Sequence, residues 1–111
     1  MSSIKIVRND NLPEITLTLT DRQTDIPLDL SDPTTTIYVQ FRAAGGTTIL
    51  STLSCAKVDA LNGVVRFGFP GDTLNVPAGQ YQGEIVIDYD GQILTVYDLL
   101  EFSLRADFDG D

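Results

Sequence analysis

The stretch "VDALNGVVRFGFPGDTLNVPAGQYQGEIVIDYDGQILTVYD", residues 58–98, alternates apolar and polar side chains between clear turn signals. Val65, Phe67 and Phe69 fall on one face of such a strand, and Val64, Arg66 and Gly68 on the other. Asn62 and Gly63 open it as a turn that requires positive φ. "PGDTLNVPAG", residues 70–79, is a long Gly/Pro-marked connection. After it, Tyr81, Gly83, Ile85, Ile87 and Tyr89 share one face, with Gln82, Glu84, Val86 and Asp88 on the other. Asp90 and Gly91 then supply a tight hairpin turn.

The same period of two runs outward in both directions. "EITLTLT", residues 14–20, sets Ile15, Leu17 and Leu19 against a threonine face that suits a strand. "DRQTDIPLDLSDPTT", residues 21–35, reads as a turn, a short edge-like strand and another turn, with Ile26, Leu28 and Leu30 pointing one way and Pro27 and Pro33 unable to donate to a central ladder. Ile37, Val39 and Phe41 face inward on the next strand, which returns through a loop at Gly45 and Gly46 into a strand from Ile49 to Cys55. The last strand sets Leu100, Phe102 and Leu104 against Glu101, Ser103 and Arg105. No segment carries a helical period. The expectation is an all-β domain, an immunoglobulin-like antiparallel β-sandwich of about seven strands.

Its 111 residues fit a single domain, and a hydrophobic fraction of 42% is enough to fill a modest sandwich core. The expected layout is an N-terminal arm or first strand over 1–8, the sandwich over 9–106 and an acidic tail over 107–111. Seven basic against sixteen acidic residues give a net charge of −9, which argues against nucleic acid or an anionic membrane as a partner. No run of about eighteen apolar residues exists, and "MSSIKIVRND" lacks the apolar core and cleavage site of a secretory signal. Synthesis and release in the producer's cytoplasm are expected.

Cys55 is the single cysteine, so an internal disulfide and a thiolate metal cluster are both excluded. Alternation sets it on the face of Leu53, as a buried, inert thiol, and no histidine exists to activate it. "DFDGD", with Asp107, Asp109 and Asp111, opens like a calcium loop, but its glycine comes too early and no bidentate glutamate follows, so it reads as a solvated tail. Glu84 and Asp88 share a strand face, where solvent-facing acids are the ordinary case. With no histidine, Ser-x-x-Lys or phosphate-cradling loop, an enzyme is disfavoured and no cofactor is expected. Tyr81, at a strand start after a long loop, is either a tyrosine corner whose phenol bonds loop backbone or a plain core tyrosine.

Taken in order, "ITLTLTDRQTDIPLDLS", a strand ending "FRAAGG", and "LNGVVRFGFPGDTLNVPAGQYQGEIVIDYDGQ" resemble the small immunoglobulin-like domains of tailed-bacteriophage virions, in particular the N-terminal domain of baseplate upper proteins. The matching elements are Pro27 to Leu30, then Asn62, Gly63 and Phe67, then Asp72, Thr73, Ala78, Gly79 and Tyr81, and finally the Asp90-Gly91 hairpin. Those proteins continue into a long C-terminal region, whereas this sequence stops at Asp111, so a stand-alone capsid decoration, tail or neck protein is as much in view as a baseplate arm.

The resemblance implies an assembly role: docking on a symmetric capsid, tail, baseplate or neck lattice, with self-association as a further contact. The virion, assembled in the host cytoplasm, is then the expected location. Sandwich edges offer unpaired backbone for such contacts. Ile4, Lys5, Ile6, Val7 and Arg8 are the candidate attachment element, with a first strand as the alternative reading of the same residues. A carbohydrate-binding module is the rival function, with Tyr38 and Tyr97 as the rings not assigned to the core.

Overall fold

The structure is a computed structural model and describes residues 4–21, 23–96 and 99–106. The expected acidic tail, with Asp107, Asp109 and Asp111, and the ring of Tyr97 lie outside the described residues. Nine strands form, in chain order β1 (Ile4–Val7), β2 (Glu14–Thr18), β3 (Thr35–Ala43), β4 (Ser51–Ser54), β5 (Ala56–Asp59), β6 (Val64–Gly68), β7 (Gly79–Tyr89), β8 (Gln92–Thr95) and β9 (Leu100–Arg105). They build a two-sheet sandwich. The larger sheet has the order β1-β9-β7-β3-β4, with β8 beside the distal half of β7, and the smaller sheet is β2-β6-β5. No helix among the described residues is long and apolar enough to cross a membrane.

The alternation read from the sequence is the alternation of burial, except at Val86, which lies on the other face of β7 and is buried as well. Val65, Phe67 and Phe69 face Phe41, Tyr81, Ile85, Ile87 and Phe102 across the interface, all buried. Phe41, Phe67, Phe69 and Phe102 meet mostly edge to face, with centroids 5.5–6.4 Å apart, while Tyr81 stacks on Phe41 at 5.1 Å. These are the preferred arrangements of aromatic quadrupoles.

The all-β sandwich of antiparallel-rich sheets is as expected, with four differences in detail. Nine strands, several of them short, are found among the described residues where about seven were expected. The strand expected from Ile49 to Cys55 starts at Ser51 and is interrupted at Cys55, where the chain leaves the larger sheet and enters the smaller one as β5. The apolar residues change parity there, from Leu53 and Cys55 to Ala56 and Val58, a shift that reading one strand through to Cys55 passes over. The sheet is not purely antiparallel, because β1 pairs β9 in parallel, Ile4 opposite Phe102 and Val7 opposite Arg105. Finally, residues 26–30 make an isolated bridge, Thr20 to Pro27, in place of a short strand, and Ile26 is 63% exposed while Leu30 is fully buried. Pro27 offers no N–H to a ladder, which confines the pairing there to a single bridge.

The strand registers give the sandwich two distinct ends. One gathers the loops 19–34, 60–63 and 88–92, because β3 begins and β7 ends there, Thr35 opposite Tyr89. The other gathers the loops 8–13, 43–50 and 70–79, with β1 and β9 finishing there. The first end carries Asp21, Asp25, Asp29, Asp32, Asp59, Asp88 and Asp90; the second carries Arg8, Arg42 and Arg105 with only Asp10 and Asp72 in its loops.

Candidate interaction edges

Residues Ile4 to Arg8 are an edge strand and its exit. Ile6 is buried in the core, Ile4 packs against it, and Lys5 is exposed. Arg8 leaves the strand with its N–H bonded to the Arg105 carbonyl at 2.9 Å, and its guanidinium Nε donates to the Val76 carbonyl at 2.6 Å. The Asn9 N–H donates to the Leu74 carbonyl at 3.1 Å. Of the arm and the strand, the structure therefore has the strand.

Tyr81 meets the same loop. Its hydroxyl donates to the Pro77 carbonyl, four residues upstream, at 2.5 Å. Burial raises the phenol above its ordinary acidity constant, and the nearby Arg8 charge offsets part of that. The structure thus brings Arg8 and Tyr81, far apart in sequence, onto adjacent carbonyls of the 75–77 segment.

The other turn residues sit at the acidic end. Asn62 closes a short 3-10 turn over Ala60–Asn62 and its amide donates to Asp59 Oδ2 at 2.9 Å. Gly63 follows at φ 72, where a Cβ would stand 2.4 Å from the Leu19 carbonyl oxygen, so both conformation and space require glycine. Asp90 (φ 54) and Gly91 (φ 98) make the two-residue β7–β8 hairpin, with the Gly91 N–H bonded to Asp88 Oδ1 at 2.7 Å. Both positive φ values match the type I′ turn that the right-handed strand twist favours.

The opposite edge of the larger sheet, β4, was not singled out by sequence reasoning. It is Ser-Thr-Leu-Ser, with Leu53 buried and Thr52 and Ser54 exposed. An open groove of about 610 Å³ borders it on the core side, with Leu12, Leu53, Phe69 and Pro70 among its lining. A second hollow reaches Thr36, Tyr38, Thr52 and Ser54, which project from the outer face. The only sequence signal was negative: no charge between Ile49 and Cys55.

Cys55 packs against the core at the crossing, and burial pushes its thiol up to about 11, so it is protonated at neutral pH. Asp29, Asp32 and Asp90 share one open hollow with Ser31 and Thr34. Asp29 and Asp32 are committed within it: Ser31 donates to one and Thr34 to the other, through backbone N–H and hydroxyl alike, which lowers both carboxyls. No group of three or more His, Cys, Asp or Glu that could hold a metal occurs among the described residues.

No protein-family model matches the chain, and neither does any curated protein. Among solved structures it is similar in fold to the N-terminal domain of phage TP901-1 ORF48, with a TM-score of 0.57 and 13% identity, covering 96% of this chain and 85% of that one.

Proposed function

We propose that this chain is a non-enzymatic structural component of a tailed-phage virion, docking on a symmetric capsid or tail lattice as a decoration, cement or adaptor protein. The observation that carries the reading is the likeness in fold of nearly the whole chain to a phage protein domain. The order of turn motifs, from Pro27–Leu30 to the Asp90-Gly91 hairpin, supports the same origin independently.

The attachment element in this reading is the β1 edge. Arg8 spends its N–H on Arg105, so ladder alternation turns the main-chain groups of Lys5 and the N–H of Val7 away from β9, where a capsid or tail protein can meet them; the Val7 carbonyl already accepts the Asp10 N–H at 3.2 Å. The partners are other virion proteins, not nucleic acid or membrane, and no cofactor is required. Acidity keeps unassembled copies soluble.

Fractionation of intact virions into filled heads and isolated tails, with mass spectrometry for this chain in each, tests the proposal. High copy on heads supports decoration or cementing, and low copy on tails supports an adaptor. Absence from both sinks the virion reading and brings forward sugar binding. Tyr38, half-buried on the outer face of the larger sheet, is the described ring available for that role. A glycan-array signal lost in Tyr38→Ala would establish it.

A further inference from the structure

We propose that β4 is a self-pairing edge: two copies of this chain join through antiparallel pairing of β4 with β4, about a twofold axis at Leu53. The free edges of the two sheets differ in how they are guarded. β1 carries Lys5, β2 follows Pro13 and carries Glu14 paired to Arg66 at 3.4 Å, and β5 carries Lys57, Asp59 and a register shift. Charges, proline and bulges are the ordinary devices against edge-to-edge association. β4 has none of them. β8 is uncharged as well, but it covers only the distal half of β7 on the side that β9 takes at the other half, whereas β4 is the outermost strand on the opposite side of the sheet.

Its main-chain groups are placed for the contact. The Cys55 N–H donates to the Ile37 carbonyl at 2.9 Å, so the alternation of an antiparallel ladder turns Leu53 and Ser51 toward β3 and faces Thr52 and Ser54 outward. A twofold axis at Leu53 sets Thr52 opposite Ser54 of the second copy, and Ser54 opposite its Thr52. Each is then a pair that exchanges both N–H to carbonyl bonds. The larger sheet becomes continuous across the two copies.

Electrostatics select this geometry for a chain of net charge −9. The β4 edge is itself uncharged, and antiparallel pairing points the ends bearing Asp29, Asp32, Asp88 and Asp90 away from each other along a body 44 Å long. That exceeds the screening length of about 8–10 Å in moderate salt. The same registers bring Arg42 level with the start of β3 in the second copy, where Asp32 precedes Thr35. Two strands separate them, about 14 Å, so the alignment sets unlike charges on the same level across the dimer without forming an ion pair. A second copy against this edge also closes over the groove of Leu53 and Phe69, whose rim residue Leu12 is 88% exposed.

Sedimentation velocity over a concentration series tests this, with the wild type, Thr52→Lys and Thr52→Pro. Thr52 spends no main-chain bond on β3, so Thr52→Lys guards the edge without touching the fold, and Thr52→Pro removes one outward N–H. The expected result is a wild type moving from 12.1 kDa toward twice that mass, with both variants held at monomer mass and melting like the wild type. A wild type that stays monomeric throughout overturns the proposal, as does a dimer that persists in both variants. Should the proline variant fail to fold, the lysine variant decides alone.

Discussion

Gly83 lies in the middle of β7, where the core of rings leaves no room for a side chain. A Cβ built there stands 2.8 Å from Val39 Cγ1 and 3.0 Å from Phe102 Cε2. Neither neighbour can yield cheaply, since Val39 and Phe102 are both fully buried. Gly83→Ala should therefore destabilise by about 1–3 kcal/mol, the usual cost of overpacking, against a small gain in strand propensity. A urea melt with unchanged midpoint would show that the aromatic cluster repacks freely. At this scale much was legible: Phe67, Phe69 and Phe102 are core because they recur at the strand period. Gly83 was placed on the inner face by the same period, but that glycine is obligatory there depends on Phe102 arriving from β9, which no local pattern encodes. Arg8 is a similar case. Its basic side chain read as part of an attachment element, and its bond to Val76 joins residues 68 positions apart.

Among the elements, β1 and the acid turns carry distinct consequences. Ile6 is buried and β1 pairs β9 over its whole length, so removing residues 1–8 exposes the Phe102 and Leu104 side of that strand and strips Arg8 from the 74–76 loop. Burial of Ile6 alone is worth about 2–3 kcal/mol. The truncated chain should melt well below the full one by circular dichroism; an equal melting temperature would return these residues to the role of a free arm. The turns act through protonation. Asp21 accepts the N–H groups of Gln23 and Thr24, and Asp29 and Asp32 accept from Ser31 and Thr34, so all three carboxyls lie below their ordinary 3.8. A group with a depressed folded value contributes stability above its unfolded value and loses it as pH falls through the folded one. Asp32→Ala should therefore be less stable than the wild type at pH 7, and the gap should close as pH falls below 3.8. A gap that persists in acid would assign the loss to packing. The period of two made most strands legible, including the β7–β8 hairpin. It could not show that β4 and β5 belong to different sheets, because the parity shift after Cys55 marks an irregularity and not a change of sheet, nor that β1 pairs β9, which depends on contacts spanning nearly the whole chain.

Across the whole molecule the dominant fact is uneven charge. Composition gave the net value of −9, but only the registers reveal that Asp21, Asp25, Asp29, Asp32, Asp59, Asp88 and Asp90 gather at one end. Lys57 reaches that end, where its ammonium donates to the Asp32 backbone carbonyl at 2.9 Å and not to a carboxylate. Like charges held within a screening length of one another store repulsion in the folded state, and salt relieves it. Two of these acids can be neutralised without disturbing the fold. Asp25 (φ 60) and Asp90 (φ 54) sit in left-handed turn conformations, where asparagine is at least as much at home as aspartate. The double variant Asp25→Asn/Asp90→Asn should therefore melt higher than the wild type in low salt. A gain of about 1 kcal/mol corresponds to roughly 4–8 °C for a domain near this size. Added NaCl should raise the wild-type melting temperature and raise that of the variant less, because part of the repulsion is already gone. Parallel salt dependences in the two proteins would mean that the acidic end is too dilute to matter, and that its aspartates are there for their turns alone.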